Sequence, residues 1–316
     1  MKRVLFVVVG LLLVSLPSAV ALGQEPRAEA SRQGDEKAER LARVLENLGE
    51  SVGRYQAGLF SVAFTETVRQ ERLKRDLKTL DGKAKEYVFE SIALRQPSKD
   101  GEEDLHAKNV RQLKAEDGKP AKQGKPYVPK RHKCGGAAGP AASYADPLTF
   151  LLPRNQPRYE FADEGEARLD GRAASVVRFV PRGQGGPRVE TKGDCFRASV
   201  PYEGRVWVDS ESGDVLQLEW RMVEPFEFES PRVMKVGSLR FGPKRRMRYE
   251  RMEMRTRFRR VEFEDPAGTL LMPVSFESLY VIEGASRPRV RTTQTFTDYQ
   301  RFVSDVKVVE DEEPDN

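Results

Sequence analysis

The first regular pattern of apolar residues in the chain is helical. Between residues 37 and about 55, leucine, valine and tyrosine recur at steps of three and four. The positions are Leu41, Val44, Leu45, Leu48, Val52 and Tyr55. This spacing places them on one face of a helix, and that face must be buried against another element. The sequence therefore predicts one amphipathic helix, preceded at residues 24–36 by a polar, turn-rich segment that we expect to be a flexible leader.

After this helix the pattern changes to alternation, which is typical of half-buried strands. In residues 216–222 and 270–282 most even-numbered positions are apolar. Turn residues such as Asp170-Gly171 and Ser212-Gly213-Asp214 separate the strands at short intervals. Because no helices alternate with these strands, the sequence predicts a mainly β (α+β) fold. Its expected architecture is a large curved antiparallel sheet, or half-barrel, packed on one N-terminal amphipathic helix.

Composition sets the expected domain boundaries. We predict a single β-rich domain at residues 37–308, with a basic loop insertion at about 98–143. The insertion is rich in Lys, Asp, Glu, Gly and Pro, which favours a solvated loop. The alternative is that the residues around Val110 and Leu113 form a short strand within it. Residues 309–316 form an acidic tail that we expect to fray.

The N-terminus has the pattern of a secretory signal peptide. Two basic residues precede an apolar run at residues 4–16. At about 13 residues this run is shorter than the roughly 20 residues of a membrane-spanning helix. Small residues then allow cleavage after Ala21 or Gly23, with an uncleaved N-terminal anchor as the alternative. We predict a signal peptide at residues 1–23 and a mature protein that is soluble in the periplasm or outside the cell.

The cysteine and histidine counts limit the chemistry of the chain. Two cysteines and two histidines in 316 residues are too few for a zinc ribbon, a His-rich metal site or a dense disulfide scaffold. In an oxidising compartment we predict one disulfide between Cys134 and Cys195, with two free thiols as the alternative. A metal site built from His132 and both cysteines is the weaker interpretation. No cofactor is predicted.

Charge limits the classes of partner. The formal net charge is +5 with a third of the residues charged, and an exported chain so close to balance is a poor candidate for binding nucleic acid. The basic block at residues 231–260 places Arg255, Arg257 and Arg259 on one face of a predicted strand. They are candidate contacts for anionic lipid headgroups at a membrane surface. The alternative is a solvated face whose arginines pair with cross-strand Glu262 and Glu277.

Within this basic block the apolar positions change parity. Met247 and Tyr249 have odd numbers, whereas Met252 and Met254 have even numbers. An alternation that changes face requires a local irregularity in the strand. We therefore predict a bulge or bend near Glu250.

Four aromatic residues are candidates for lining a cavity. Trp207 and Trp220 fall on facing strands of a predicted hairpin, and Phe226 and Phe228 follow closely. Ordinary core packing is the simpler interpretation. Because one helix cannot easily cover a sheet this large, the alternative is that these side chains line a hydrophobic concavity of the sheet.

Signatures of catalysis are missing from the sequence. His106 and His132 lie in polar segments without a nucleophile motif around them. The glycine-rich residues 183–186 lack the Lys-Ser/Thr pair of a phosphate-binding loop. We therefore predict a protein that is not an enzyme.

The order of elements resembles a known superfamily. A signal peptide, one amphipathic helix and a long antiparallel meander are similar to the periplasmic outer-membrane lipoprotein carriers (LolA-like proteins) and to the sigma-factor regulator that shares their fold. Residues 204–209 and 213–216, a strand ending in Asp and then a turn with Gly before the next strand, resemble a repeat of those domains. Uncharacterised exported bacterial proteins of similar build share such motifs. The resemblance covers roughly residues 55–302 and implies a curved sheet around a hydrophobic cavity for acyl chains.

These patterns lead to one functional prediction and one alternative. We predict an exported, non-enzymatic binding protein that holds a lipid, an acyl chain or a lipoprotein in a hydrophobic concavity, with the Arg-rich strand at its rim. The alternative is a structural or protein-interaction module of the bacterial cell envelope that has no small ligand and pairs through a sheet edge or its basic face. A hydrolase would need a polar cluster in a pocket, which the sequence does not show.

Overall fold

The structure is a computed structural model. It describes residues 25–96, 106–122, 130–131, 137–138, 147–192, 195–230, 234–236, 239–241, 245–285 and 288–302. The chain divides into two compact units, Met1–Glu39 and Arg40–Asn316. The described part of the first unit is helical throughout. The predicted signal peptide at 1–23 and the acidic tail at 309–316 lie outside the described residues.

One helix, α1 (Glu25–Leu59), precedes all the strands. It begins well before the apolar spacing starts at Lys37, so residues 25–36 are helical where the sequence predicts a flexible leader. Most residues of this early part are Glu, Ala, Arg and Gln, which have high helix propensity. Apolar spacing marks where a helix is buried, and for that reason it missed a helical stretch without an apolar face.

The strands of the described residues are β1 (Val62–Arg72), β2 (Lys85–Gln96), β3 (His106–Glu116), β4 (Lys119–Pro120), β5 (Lys130–Arg131), β6 (Ala137–Ala138), β7 (Tyr159–Leu169), β8 (Arg172–Pro181), β9 (Arg188–Lys192), β10 (Cys195–Ser199), β11 (Tyr202–Asp209), β12 (Val215–Met222), β13 (Phe226–Ser230), β14 (Met234–Val236), β15 (Leu239–Phe241), β16 (Arg245–Glu264), β17 (Ala267–Glu283) and β18 (Arg289–Arg301).

Twelve of these strands form one antiparallel sheet, the main sheet. Its order is β4-β3-β2-β1-β18-β17-β16-β12-β11-β8-β7, and β13 pairs with β16 off this path. The sheet is open, with β4 at one edge and β7 at the other, and its first and last long strands, β1 and β18, lie side by side. The pairs β9–β10, β14–β15 and β5–β6 stand apart from it. The predicted fold class, a large curved antiparallel sheet with one N-terminal helix, is confirmed.

The turn signals in the sequence fall where the structure has turns. Asp170 and Gly171 join β7 to β8 with φ values of 50° and 84°. Positive φ at both central residues gives the turn whose twist matches that of the flanking strands. The predicted irregularity in the basic block is also present, because the register of β16 on β17 shifts between Tyr249 and Arg251.

Part of the predicted loop insertion at 98–143 is a strand of the main sheet. β3 pairs with β2 along its length, and β4 adds a short edge beside it. The strand was partly hidden in the sequence because Arg111 is buried on it, at a position where alternation would place an apolar residue. Residues 97–105 and much of 123–146 lie outside the described residues.

The main core lies between the sheet and α1. Leu48, Val52, Tyr55 and Leu59 of the helix are at most 2% exposed. On the sheet, the buried members of this cluster are Val62, Phe64, Phe179, Val206, Val208, Val215, Leu218, Phe258, Phe263, Leu271, Met272 and Phe296. Two short 3-10 helices, Thr149–Leu151 and Gln156–Arg158, lie in a segment that adds Leu148, Leu151 and Leu152. The helix therefore does not cover the sheet alone.

Buried polar contacts fix α1 on the turn between β11 and β12. The Ser51 hydroxyl of the helix donates to Asp214 Oδ1 at 2.7 Å, and Arg260 Nε of β16 donates to Asp214 Oδ2 at 2.5 Å. Asp214 is 3% exposed. The backbone of Gly213 lies so close to the helix that a Cβ there would be 3.2 Å from Asn47 Cβ. One carboxylate thus joins the helix, the turn and a central strand.

We expect Asp214→Ala to lower the free energy of unfolding by about 1–3 kcal/mol, because it leaves the buried Ser51 hydroxyl without its acceptor. Urea denaturation measures the change. Glu211→Ala is the matched control, since Glu211 is exposed in the same turn and surface changes usually stay within about 0.5 kcal/mol. Equal stability of the two variants contradicts the assigned role of Asp214.

Candidate functional site

The main sheet has two chemically different faces. The core face carries the side chains that pack on α1, such as Val206, Leu218 and Phe296. Because successive side chains of a strand point to opposite faces, the intervening residues, such as Arg205 and Glu219, form a charged face. Cross-strand pairing arranges the side chains of each face in rows, which can be read from the register.

Two rows of mixed positive and negative charge line a groove on the charged face. The first row runs through Arg178, Arg205, Glu219, Arg255 and Glu277 on five neighbouring strands. The second row runs through Glu203, Arg221, Glu253, Leu279 and Arg291. The groove between them has a volume of about 620 Å³ and ends at residues 76–78.

The charges in this groove compensate one another. Glu203 accepts from Arg178 Nη2 at 2.7 Å and from Arg221 Nη2 at 2.8 Å. These two hydrogen bonds, first that from Arg178, lower the pKa of Glu203. Arg205 donates through Nε to Glu164 at 2.5 Å. The groove is therefore lined by paired side chains and does not present a uniform charge.

The three arginines predicted to contact headgroups differ in their surroundings. Arg255 Nε lies 2.6 Å from Glu219 Oε1, and its Nη1 lies 4.0 Å from Glu277. Arg257 donates to Gln217 Oε1 at 3.1 Å. Arg259 is exposed and has no carboxylate partner among the residues that the structure describes. Cross-strand pairing thus engages Arg255, with Glu219 closer than the expected Glu277.

The four candidate aromatics do not converge on one space. Trp207 and Trp220 differ in parity on paired strands and lie on opposite faces of the sheet. Trp220 is partly buried beside the main core. Phe226 and Phe228, with ring centroids 5.9 Å apart, belong to a second apolar cluster. The buried members of that cluster are Met222, Phe228, Met247 and Tyr249.

The remaining candidate chemistry cannot be located in full. Cys134 and His132 lie outside the described residues, and Cys195 begins β10. The disulfide therefore stays a prediction. Across the described ranges, no group of three or more His, Cys, Asp or Glu side chains is arranged to hold a metal ion. Within the same ranges, no helix is long and apolar enough to cross a membrane.

Large apolar side chains are incompletely buried where the core face runs from the main core toward the second cluster. Trp220, Met254, Phe276 and Tyr280 lie there on three neighbouring strands, and each is only partly buried. Met254 and Tyr280 belong to neither cluster. Burial raises the pKa of Tyr280 to about 12, so its hydroxyl stays neutral. We call these four side chains the apolar floor.

A set of buried polar side chains adjoins the apolar floor. We call Thr256, Ser278, Thr292 and Gln294 the polar strip. They are 4%, 5%, 9% and 1% exposed. Across the described part of the chain, Gln294 Nε2 is buried without a hydrogen-bond partner, and no hydrogen bond joins the three hydroxyl groups to another residue. Native proteins rarely leave a buried donor such as the Gln294 amide unpaired, so this group requires an explanation.

A buried ion pair lies beside the polar strip on the core face. Glu66 of β1 is fully buried. Its carboxylate accepts hydrogen bonds from Arg111 Nη2 at 2.5 Å and from the Ser91 hydroxyl at 3.1 Å. Burial raises the pKa of Glu66, and the charge of Arg111 opposes this effect only in part. The Arg111 guanidinium also lies 5.3 Å from the Phe89 ring centroid. In the sequence of β1, Glu66 falls among the alternate apolar residues Val62, Phe64 and Val68. This interruption is the signal from which the sequence could have revealed a buried Glu66.

Comparison with known proteins gives similarity to solved structures alone. No protein-family model and no curated protein matches the chain. A domain from Vibrio parahaemolyticus assigned to outer membrane lipoprotein sorting has 11% identity and a TM-score of 0.41, covering 85% of this chain and 94% of that domain. A DUF1329 family protein from Desulfovibrio piger has 11% identity, a TM-score of 0.37 and coverages of 82% and 93%.

A LolA superfamily protein from Nitrosomonas europaea has 10% identity and a TM-score of 0.34, with coverages of 84% and 94%. The superfamily that the sequence resembles is thus represented among the similar structures. Because the identities and TM-scores are low, the fold assignment rests on the strand order described above. The similarity brings neither a ligand nor an activity to this chain.

The ordinary pKa of a glutamate carboxyl is 4.5, and the pKa of Glu66 is higher in the folded protein. We expect the free energy of unfolding to fall as the pH rises between these two pKa values. In this window the folded protein binds the proton more tightly than the unfolded chain, so rising pH removes stability. Glu66→Gln lacks this component, and its stability relative to wild type should therefore rise with pH. Urea denaturation at several pH values measures the difference.

Glu90→Gln is the control for this pH dependence. Glu90 is exposed on the neighbouring strand and pairs with Lys114 at 2.8 Å. It should keep the wild-type slope of stability against pH. The same slope in wild type and Glu66→Gln contradicts the raised pKa.

Proposed function

We propose that the protein is an exported, non-enzymatic binding protein that holds an acyl chain on the core face of its curved sheet. The observation that supports this proposal most directly is the apolar floor. Contiguous large apolar side chains that stay partly exposed mark binding surfaces more often than ordinary surface. Here Trp220 and Phe276 pack against the main core, and Tyr280 is paired in register with Met252, which packs against the second cluster.

The chemistry of the apolar floor suits a flexible hydrocarbon. Methionine has an unbranched, polarizable side chain that adapts to irregular shapes, and Met254 lies at the middle of the floor between Trp220 and Ser278 in register. Each buried methylene group contributes about 0.8 kcal/mol. Affinity should therefore depend on the length of the acyl chain.

A headgroup contact by arginine is the second element of the proposal. Of the three candidates, Arg259 is the most available, because Arg255 and Arg257 already bind Glu219 and Gln217. An exposed guanidinium can bind a phosphate or carboxylate group with two parallel hydrogen bonds. Arg259 alternates with the core-face residues of β16, so through it the protein would contact anionic headgroups of a membrane surface in the periplasm or outside the cell, apart from the chain held on the core face.

The groove on the charged face supports a second candidate function. Its rows of mixed charge could bind a protein partner of the cell envelope that carries the complementary pattern. In that case the protein is an interaction module without a small ligand. Capture from envelope extracts distinguishes the two functions, since an interaction module brings down protein and no lipid.

We expect the protein purified without detergent from a bacterial envelope to carry acyl lipid, detected by mass spectrometry of organic extracts. Met254→Lys should reduce the bound lipid about tenfold or more, because it places a charge in the apolar floor. Glu253→Gln is the matched control, because Glu253 neighbours Met254 in β16 but lies on the charged face. This variant should keep the bound lipid. Wild-type extracts without acyl lipid contradict the proposed function.

A further inference from the structure

The polar strip lies within the core face and beside the apolar floor. In one row of the register, Trp220, Met254, Ser278 and Thr292 follow one another across β12, β16, β17 and β18. The row therefore changes from apolar to polar in one direction across the sheet. In the adjacent row Phe276 lies between Thr256 and Gln294. A ligand that lies across these strands would meet hydrocarbon at one end and hydrogen-bonding groups at the other.

The groups of the strip are neutral hydrogen-bond donors. The Gln294 amide nitrogen carries two N–H donors, and each hydroxyl carries one. Gln294 Nε2 has no acceptor among the described residues. Arg111, the buried cation of this face among the described residues, is already bound to Glu66. A carboxylate placed here would lack a countercharge and pay a large desolvation penalty, whereas a neutral carbonyl oxygen accepts such hydrogen bonds without one.

We infer that the polar strip binds the carbonyl oxygen of an ester- or amide-linked acyl chain, with Gln294 as its principal donor. This inference rests on the proposed function and adds the linkage chemistry of the ligand. The hydrocarbon lies on Trp220 and Met254, and the carbonyl group lies toward β18. Esters of glycerolipids and amides of N-acylated lipoproteins share this chemistry, while free fatty acids and alkyl ethers lack it.

A matched pair of probes tests the carbonyl contact. The probes are 1-palmitoyl-lysophosphatidylcholine and its 1-O-hexadecyl ether analogue, which differ at the linkage. Titration calorimetry below the micelle concentration measures both dissociation constants. Wild type should bind the ester about five- to tenfold more tightly, the effect of one net hydrogen bond. Gln294→Met should bind both probes with equal affinity.

Two control variants separate binding from general effects on the fold. Thr293→Val changes the next residue of β18, on the charged face, and should keep the preference for the ester. Tyr55→Phe removes another buried polar atom without a hydrogen-bond partner among the described residues, a hydroxyl within the main core, and should keep the preference too. Loss of the preference in either control overturns the assignment to the strip.

The stability of the ligand-free protein provides a second test. Removing an unpaired buried amide leaves stability unchanged or raises it, so Gln294→Met should have the wild-type Tm or a higher one. Thr292→Val should behave in the same way and provides a second variant of the strip. A Tm several degrees lower in both means that these groups are already satisfied, and it overturns the inference.

Two further probes distinguish ester-linked from amide-linked ligands. Together the four probes also distinguish failure of this inference from failure of the proposed function. An N-palmitoylated peptide compared with its S-hexadecyl analogue tests amide-linked chains, and tighter binding than the ester lipid assigns the site to lipoproteins. Equal binding of ester and ether, and of both peptides, by wild type overturns the inference and leaves acyl binding intact. No binding of any of the four probes overturns the proposed function as well.

Discussion

The burial of the core face by α1 is the interaction on which the rest of the structure depends. From Leu48 to Leu59 the helix supplies a continuous apolar stripe, and each fully buried Leu or Val contributes about 1.5–3 kcal/mol. Hydrophobic burial is not directional and does not by itself fix the orientation of α1. The hydrogen bonds from Ser51 and Arg260 to Asp214 are directional and fix it on the sheet. One helix and the segment at residues 147–158 bury only part of a twelve-stranded sheet. The core face that remains is where the incompletely buried residues lie.

The charged face solves the opposite problem, because a wide sheet with one face in solvent must carry many polar side chains without excess charge. Its rows mix Arg and Glu, with opposite charges paired across most neighbouring strands, and opposite charges directly across a sheet stabilise it modestly. The Arg-rich block of β16 looks strongly basic when read along the chain. Read across the sheet, Arg255 meets Glu219 and Arg257 meets Gln217. Partners of β16 on β12 are distant in sequence, so a scan along the strand overstates its free positive charge.

The sequence predicted the features that are written in local patterns. Alternation and the turn at Asp170-Gly171 determined the strands, and a change of parity located the irregularity between Tyr249 and Arg251. The start of α1 was missed because a helix without an apolar face has no periodicity to detect. β3 was partly hidden by Arg111, whose burial depends on Glu66, 45 residues away. The apolar floor and the polar strip could not be predicted, because each is assembled by register among β12, β16, β17 and β18 rather than by spacing within one strand.

Two kinds of unfavourable feature coincide on the same part of the core face. Partly exposed Trp220 and Met254 forgo hydrophobic burial, and the buried amide of Gln294 forgoes a hydrogen bond. Either could be removed by an ordinary substitution, such as a smaller residue or an apolar one of similar volume. Local rules are broken in natural proteins mainly where function requires it. Apolar surface without cover and a donor without an acceptor are complementary to one kind of molecule, a hydrocarbon chain that carries a neutral carbonyl group. Neither the apolar floor nor the unpaired donor specifies such a ligand alone. Their adjacency in the strand register does.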